Sequence, residues 1–219
     1  MMTNINQEVW KFIDKNPSIK RTLSYGLINK RALANYIKKQ KDLQTSLDAV
    51  ISAIRRYNIE NYDNYFLTAQ KMITHTTDLS TRSNLVNVVL SKDTEIQKLI
   101  PEFFSIIKYD RGDVLRIIQA DESIKVLINE KNLEKIVNAI PKEKILSIDE
   151  NLAEINLHLT NEAKYTPGVL AIITNELALN GVSIVEVLSC FPELLWFVYQ
   201  RDLLKAYNVL YQLCQPNKK

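Results

Sequence analysis

The spacing of hydrophobic positions changes character along the chain. Over the first sixty residues apolar side chains recur every three or four positions: Val9, Phe12 and Ile13, then Ile19 and Leu23, then Leu33, Tyr36 and Ile37, then Val50, Ile51 and Ile54. That period puts each set on one face of a helix. The punctuation agrees. Asn6 stands as a cap for the first helix, and Asn16-Pro17 ends it, because a residue before proline avoids helical torsions. Gly26 stops the second helix, Asn29 caps the third, and Ser46 or Asp48 opens the fourth, which closes on Arg55-Arg56 where positive charge suits the carbonyl end.

From Asn84 onward the period alternates between two and about three and a half. Leu85 to Leu90 reads as a strand, Thr94 to Ile107 as a helix broken or kinked at Pro101, and Val114 to Ala120 with Ile124 to Ile128 as a hairpin about Asp121-Glu122. Asn132 would cap a helix over Leu133 to Ile140, and Ile145 to Ile148 would be a last strand. The order then repeats more clearly. Ala153 to Thr160 alternates, Pro167-Gly168 opens a helix carrying Val169, Leu170, Ile173 and Leu177, and Asn180-Gly181 ends it. Val182 to Ser189 and Leu194 to Tyr199 are strands about Phe191-Pro192-Glu193, and Asp202 caps a final helix through Leu213. Between the helical start and the first strand, Tyr62, Tyr65 and Phe66 continue a helix or anchor a linker, and threonine-rich Lys71 to Asp78 suggests an extended strand or wing.

The run Thr166-Pro167-Gly168-Val169-Leu170-Ala171-Ile172-Ile173, with Leu177-Ala178 and Asn180-Gly181-Val182-Ser183-Ile184, resembles an ACT domain, most like the regulatory tail of aspartokinases. Val185-Glu186-Val187, Glu193-Leu194-Leu195 and Asp202-Leu203-Leu204-Lys205-Ala206 fit the same resemblance. It implies a βαββαβ module that pairs side by side with another and binds amino acids at the interface, through the loop before its first helix. On this chain that loop is Tyr165, Thr166, Pro167, Gly168, Val169 and Leu170, with Tyr165 standing where an acidic residue often precedes the Pro-Gly pair. Glycine permits close backbone approach, and free amides at a helix start favour a carboxylate. The same pair would also serve as a plain strand-to-helix turn. The earlier βαββαβ pattern has Lys92-Asp93-Thr94 in place of that loop and no Pro-Gly.

In the helical start, Asn16-Pro17-Ser18-Ile19, Gly26-Leu27-Ile28-Asn29, Ala32-Leu33-Ala34 and Ala53-Ile54-Arg55-Arg56-Tyr57 resemble the amino-terminal segment of archaeal proteins that join a helix-turn-helix-like head to ACT domains. On that resemblance the Asn29 to Lys39 helix is the recognition helix, with Lys30, Arg31 and Asn35 near a DNA groove and Lys38 or Lys39 on phosphates. The expected fold is therefore α+β: a helical head at 1–60, a linker or wing at 61–82, a degenerate ACT-like module at 83–150 and an ACT domain at 151–219.

Charge sharpens this division. The chain of 219 residues has a net charge of +3, made of +6 over residues 1–60 and −3 over the rest. A basic head on a mildly acidic body suggests two jobs, although lysines on an outer helix face also serve simply as solvated charges. With 46% hydrophobic residues the chain can bury a sizeable core, and its four glycines leave little room for phosphate-cradling loops. No stretch approaches the twenty apolar residues of a membrane helix, and Met1-Met2-Thr3-Asn4 does not begin a signal sequence, so a cytoplasmic location is expected.

Catalytic signatures are missing. There is no Walker loop, dinucleotide fingerprint, GxSxG elbow or HExxH helix, and no room for a kinase domain. Cys190, Cys214, His75 and His158 have no metal-ligand spacing, and Asp121-Glu122, Asp149-Glu150 and Glu193 fall in apparent turns. The expectation is a homodimeric regulator with no cofactor and no metal, binding duplex DNA and an amino acid effector. The alternative is an accessory protein that regulates a biosynthetic enzyme by protein contact alone.

Overall fold

Capping by short polar side chains sets the first helices. The computed structural model describes residues 4–58 and 62–215. Helix α1 (Ile5–Asp14) starts at Asn4, whose Oδ1 accepts from the Asn6 amide at 3.1 Å, so the cap lies two residues before the expected one. Helix α2 (Pro17–Ser24) follows the proline, and Gly26 then takes a φ of 67°. Asn29 caps α3 (Lys30–Gln40) by accepting from the amides of Arg31 and Ala32, and Ser46 caps α4 (Leu47–Arg55) by accepting from Ala49. Val9, Phe12 and Ile13 of α1, Leu23 of α2, Leu33, Ala34 and Ile37 of α3, and Val50, Ala53 and Ile54 of α4 form one core. A second anchor is polar: the Trp10 indole donates to the Ala53 carbonyl at 2.9 Å.

Within the expected linker or wing at 61–82, residues 62–74 form α5 (Tyr62–Thr74), the helical one of the two readings left open for Tyr62, Tyr65 and Phe66; residue 61 lies outside the described residues. The chain divides into two compact units, Met1–Thr68 and Ala69–Lys219, with the division inside α5.

The second unit continues through β1 (Asp78–Ser91), α6 (Thr94–Ile106), β2 (Leu115–Gln119), β3 (Ser123–Asn129), α7 (Leu133–Asn138), β4 (Ile145–His158), α8 (Val169–Leu179), β5 (Ile184–Cys190), β6 (Glu193–Tyr199) and α9 (Leu203–Cys214). Its six strands form one antiparallel sheet in the order β2-β3-β1-β4-β6-β5, where two ferredoxin-like βαββαβ modules able to lie edge to edge were expected. The reason is the length of β1 and β4, at 14 residues each. They pair along their whole length, from Asp78 opposite His158 to Leu90 opposite Ile145. Only the second stretch of β1 carries β3 on its other side, and only the second stretch of β4 carries β6. Each long strand therefore serves two neighbourhoods: a first half of the sheet (β1, β2 and β3 with α6 and α7) and a second half (β4, β5 and β6 with α8 and α9).

The point of exchange is marked in both strands by an asparagine in the left-handed region, Asn84 at φ 56° and Asn151 at φ 58°. Asn84 is flanked by register irregularities between Arg82 and Leu85 and between Leu85 and Asn87. Asparagine tolerates this conformation better than other side chains, and a bulge there bends the strand.

One face of the first half is covered by helices: Val86, Val88, Leu90, Val126 and Ile128 pack with Ile96 and Phe103 of α6 and Ile136 of α7. On the opposite face Leu85, Leu127, Leu152, Leu195 and Phe197 are buried together with Val114, and Ile118, Val185 and Leu188 pack against them. These residues come from β1 to β6, so the sheet curls until its helix-free faces meet. Two ion pairs cross the curl between strands that are not neighbours in the sheet. Arg116 of β2 grips Glu154 of β4 through two bonds of 3.3 Å, and Lys125 of β3 pairs with Glu186 of β5. Glu154 is 1% exposed, and Arg82 approaches it at 3.7 Å. A carboxylate this buried needs such partners.

Pro101 does not break α6. It lies on the exposed side, where the carbonyl freed by its missing donor meets water. Asn132 does not cap α7: its amide is buried and donates to Asp113 at 2.9 Å. Asp202 likewise makes no capping bond to α9, which is entered through the short 3-10 turn Gln200–Asp202.

Candidate functional site

The connection from the end of β4 to α8 contains Tyr165, Thr166, Pro167 and Gly168 of the expected ligand loop, and Val169 and Leu170 open α8 itself. The connection includes a 3-10 turn, Asn161–Tyr165, which Thr166 closes by donating its hydroxyl to the Glu162 carbonyl at 3.0 Å. Pro167 comes before the helix rather than in its first turn. Gly168 is the cap residue, at φ 96°, a conformation that disfavours any other side chain, and no side chain caps α8. The side chains diverge here. Val169 turns into the core, whereas Tyr165 is 80% exposed and Leu170 41% exposed. What this loop presents to solvent is thus a ring and an aliphatic tip, beside a helix start that no side chain caps. Lys164 lies over the Tyr165 ring, 5.6 Å from its centre, and adds a positive charge beside it.

The corresponding turn of the first half, before α6, is filled. Asp93 Oδ1 accepts from the amides of Glu95 and Ile96, each at 3.0 Å, and Oδ2 accepts from the Ser91 hydroxyl at 3.0 Å and the Lys144 ammonium at 2.7 Å. The Lys144 ammonium, then the Ile96 amide, hold this carboxyl down at about 2. Asp113, whose side chain is 3% exposed, is held at about 2 as well, by Lys131, Asn132 and the Lys108 amide. None of these partners was expected from the sequence. The signal for Asp93 was present, since an aspartate directly before an apolar helical repeat is a cap; the partner Lys144 lies 51 residues away.

In the head, Lys30, Arg31, Asn35 and Lys39 are exposed and Lys38 is half-buried, all on α3 and away from its buried Leu33, Ala34 and Ile37. None of the four cations has an ion-pair partner among the described residues. Cys190 is exposed, Cys214 contacts the Thr76 hydroxyl at 3.2 Å with its pKa raised by burial, and no group of three His, Cys, Asp or Glu among the described residues could hold a metal. No described helix is long and apolar enough to cross a membrane.

With this geometry in hand the fold finds its class. The chain resembles the regulatory subunit of aspartate kinase from Thermus flavus, at 14% identity and a TM-score of 0.51, over 64% of this chain and 98% of that one. It also resembles the aspartate kinases of Clostridium acetobutylicum (19% identity, TM-score 0.50, 64% of this chain and 35% of that one) and Synechocystis (14%, 0.50, 66% and 28%). The matched region thus spans about a third of each of these two kinases. No protein-family profile and no curated protein matches the sequence. The shared feature is the fold, an arrangement of antiparallel sheet and helices also found in a regulatory subunit of aspartate kinase.

Proposed function

We propose that this chain is a non-enzymatic regulator in which the six-stranded ACT-like unit senses an amino acid and the helical head binds duplex DNA. The observation that carries the reading is the union of two unlike units: a sheet shared with aspartate kinase regulatory parts, and a separate helical unit that holds the chain's excess positive charge. The effector site is the loop of Tyr165, Thr166, Pro167, Gly168, Val169 and Leu170. An amino acid carboxylate would meet the uncapped amides of α8, and Tyr165 and Leu170 would line its side chain. The DNA contacts are Lys30, Arg31, Asn35, Lys38 and Lys39. Two copies, paired through the ACT-like units or the heads, would read two half-sites, and the effector would act by binding one arrangement of paired heads better than another; a coupling of about 1 to 3 kcal/mol is ordinary for such systems.

The test is binding of the whole chain to labelled genomic duplex fragments over a salt series, with each amino acid added in turn. Affinity should fall steeply with salt, be lost when Lys30→Glu and Arg31→Glu are combined, and move with one amino acid that Gly168→Val abolishes. Absence of binding at low salt overturns the DNA reading and leaves protein contact as the head's work.

A further inference from the structure

We propose that α3 and α4, rather than α2 and α3, form the helix-turn-helix pair of the head, so that α4 reads base edges and α3 lies across the phosphate backbone. The inference rests on the DNA reading above and assigns its parts. In a helix-turn-helix the first helix holds the second at a fixed angle in the major groove, so the two must pack on each other. Helix α2 does this only weakly for α3. It has eight residues, of which Leu23 alone is buried in the core it shares with α3, and its main packing partner is α1. Helix α3 lies instead against α4, with Leu33, Ala34 and Ile37 in the same core as Val50, Ala53 and Ile54, and α1 supports α4 from another side.

The connection between α3 and α4 is built as a fixed turn. Asp42 takes a φ of 44°, the Leu43 amide returns to the Lys38 carbonyl at 3.0 Å, and the Gln44 side chain donates to Asp42 at 3.1 Å before Ser46 caps the next helix. The face of α4 opposite its buried positions carries Asp48, Ser52 and Arg55, all exposed and spaced at four and three residues. These supply an acceptor, a hydroxyl and a guanidinium, the groups that distinguish base pairs in the major groove, with arginine suited to guanine and a carboxylate to cytosine. Helix α3 offers the complementary chemistry. It carries Lys30, Arg31, Lys38 and Lys39 and no acidic residue, which suits phosphate contact and carries no sequence information by itself.

The experiment is selection of bound sequences from a randomised duplex pool by the whole chain, repeated with Ser52→Ala, Arg55→Ala, Asn35→Ala and the pair Lys30→Ala with Arg31→Ala; circular dichroism confirms that each variant keeps its helices. All are exposed positions, so folding should survive. The expected result is that Ser52→Ala and Arg55→Ala flatten the selected motif, with about a tenfold or larger loss of preference at one base pair each. Asn35→Ala, on the helix that faces the phosphates, should weaken binding to every sequence alike without changing the motif, and the α3 pair should do the same and reduce the salt slope by about one per charge removed. A motif that changes with Asn35→Ala and not with the α4 variants would overturn the assignment while leaving DNA binding intact. A motif unchanged by either set would overturn it too. If the unaltered chain binds no duplex at low salt, the DNA reading itself fails.

Discussion

The two halves of the sheet meet the same problem at the same place and solve it in opposite ways. Each must turn from a long strand into a helix whose first amides lack partners. The first half uses Asp93, which seals α6 with its own carboxylate and has Lys144 and Ser91 to neutralise and orient it. The second half uses Gly168, which leaves α8 uncapped beside exposed Tyr165 and Leu170. A side-chain cap and an uncapped helix start are therefore alternatives at one backbone position, and the choice between an aspartate and a glycine decides which is present. On the proposed function, an effector should bind once per chain, at α8 alone.

The largest test of the difference lies in the strands. Glu154 of β4 and Asn87 of β1 are both buried, but Glu154 is a charge held by arginines and Asn87 a neutral amide that donates to Asp149 at 3.3 Å. Glu154→Ala should lower unfolding free energy by about 3 kcal/mol, the low end for breaking a buried pair because both arginines keep contact with water. Asn87→Ala should cost about 1 kcal/mol, the worth of one hydrogen bond. Equal losses in urea denaturation would mean that the curl does not depend on the Arg116–Glu154 bridge.

Acid should separate the halves next. Asp93 and Asp113 belong to the first half, and both are held at about 2, below the ordinary value of 3.8. A depressed carboxyl stabilises the fold above its unfolded pKa and loses that contribution as pH falls through its folded one. Asp93→Asn and Asp113→Asn should therefore lower the melting temperature at pH 7, with the gap to the unaltered chain closing between about pH 4 and pH 2. A gap that stays constant over that window would show that these carboxylates carry no protonation-linked stability.

The smallest effect probes where the halves agree. Asn84 and Asn151 have matching left-handed conformations. Each, replaced by alanine, should cost about 1 kcal/mol, and each, replaced by glycine, should cost almost nothing. Unequal costs in the two alanine variants would break the equivalence of the two bends.

The sequence showed best what is local. The caps at Asn29 and Ser46, the strands about Phe191-Pro192 and the end of α8 at Asn180-Gly181 all depend on neighbours within a few residues. The continuity of β4 was hidden for a physical reason. Asp149-Glu150-Asn151 has turn chemistry, and Asn151 does take a turn-like torsion, yet the strand runs through it as a bend rather than ending there. The same ambiguity concealed the first stretch of β1, Asp78 to Arg82, which lacks the apolar alternation of a strand because it is mostly exposed. The positions of the loop at 165–170 were legible through Pro167-Gly168. The electrostatic contacts that shape the unit were not, since Arg116 and Glu154 stand 38 residues apart and Lys125 and Glu186 stand 61 apart, and only the curl brings them together.

The exchange of strands between the halves also sets an order of birth. As the chain leaves the ribosome, the start of β1 appears early, but Thr77 finds its partner in the His158 carbonyl, 81 residues later. The second stretch of β1 has β3 beside it once Asn129 has emerged, but β1 gains its other neighbour only with β4, and β4 gains its second neighbour only with β6. The early helices can settle while they wait, because their contacts are near in sequence. Within the first half β1, β3 and β2 can pair early, and within the second β4, β6 and β5 pair late, so what waits for the end of synthesis is the completed sheet, in which β1 and β4 join the two halves.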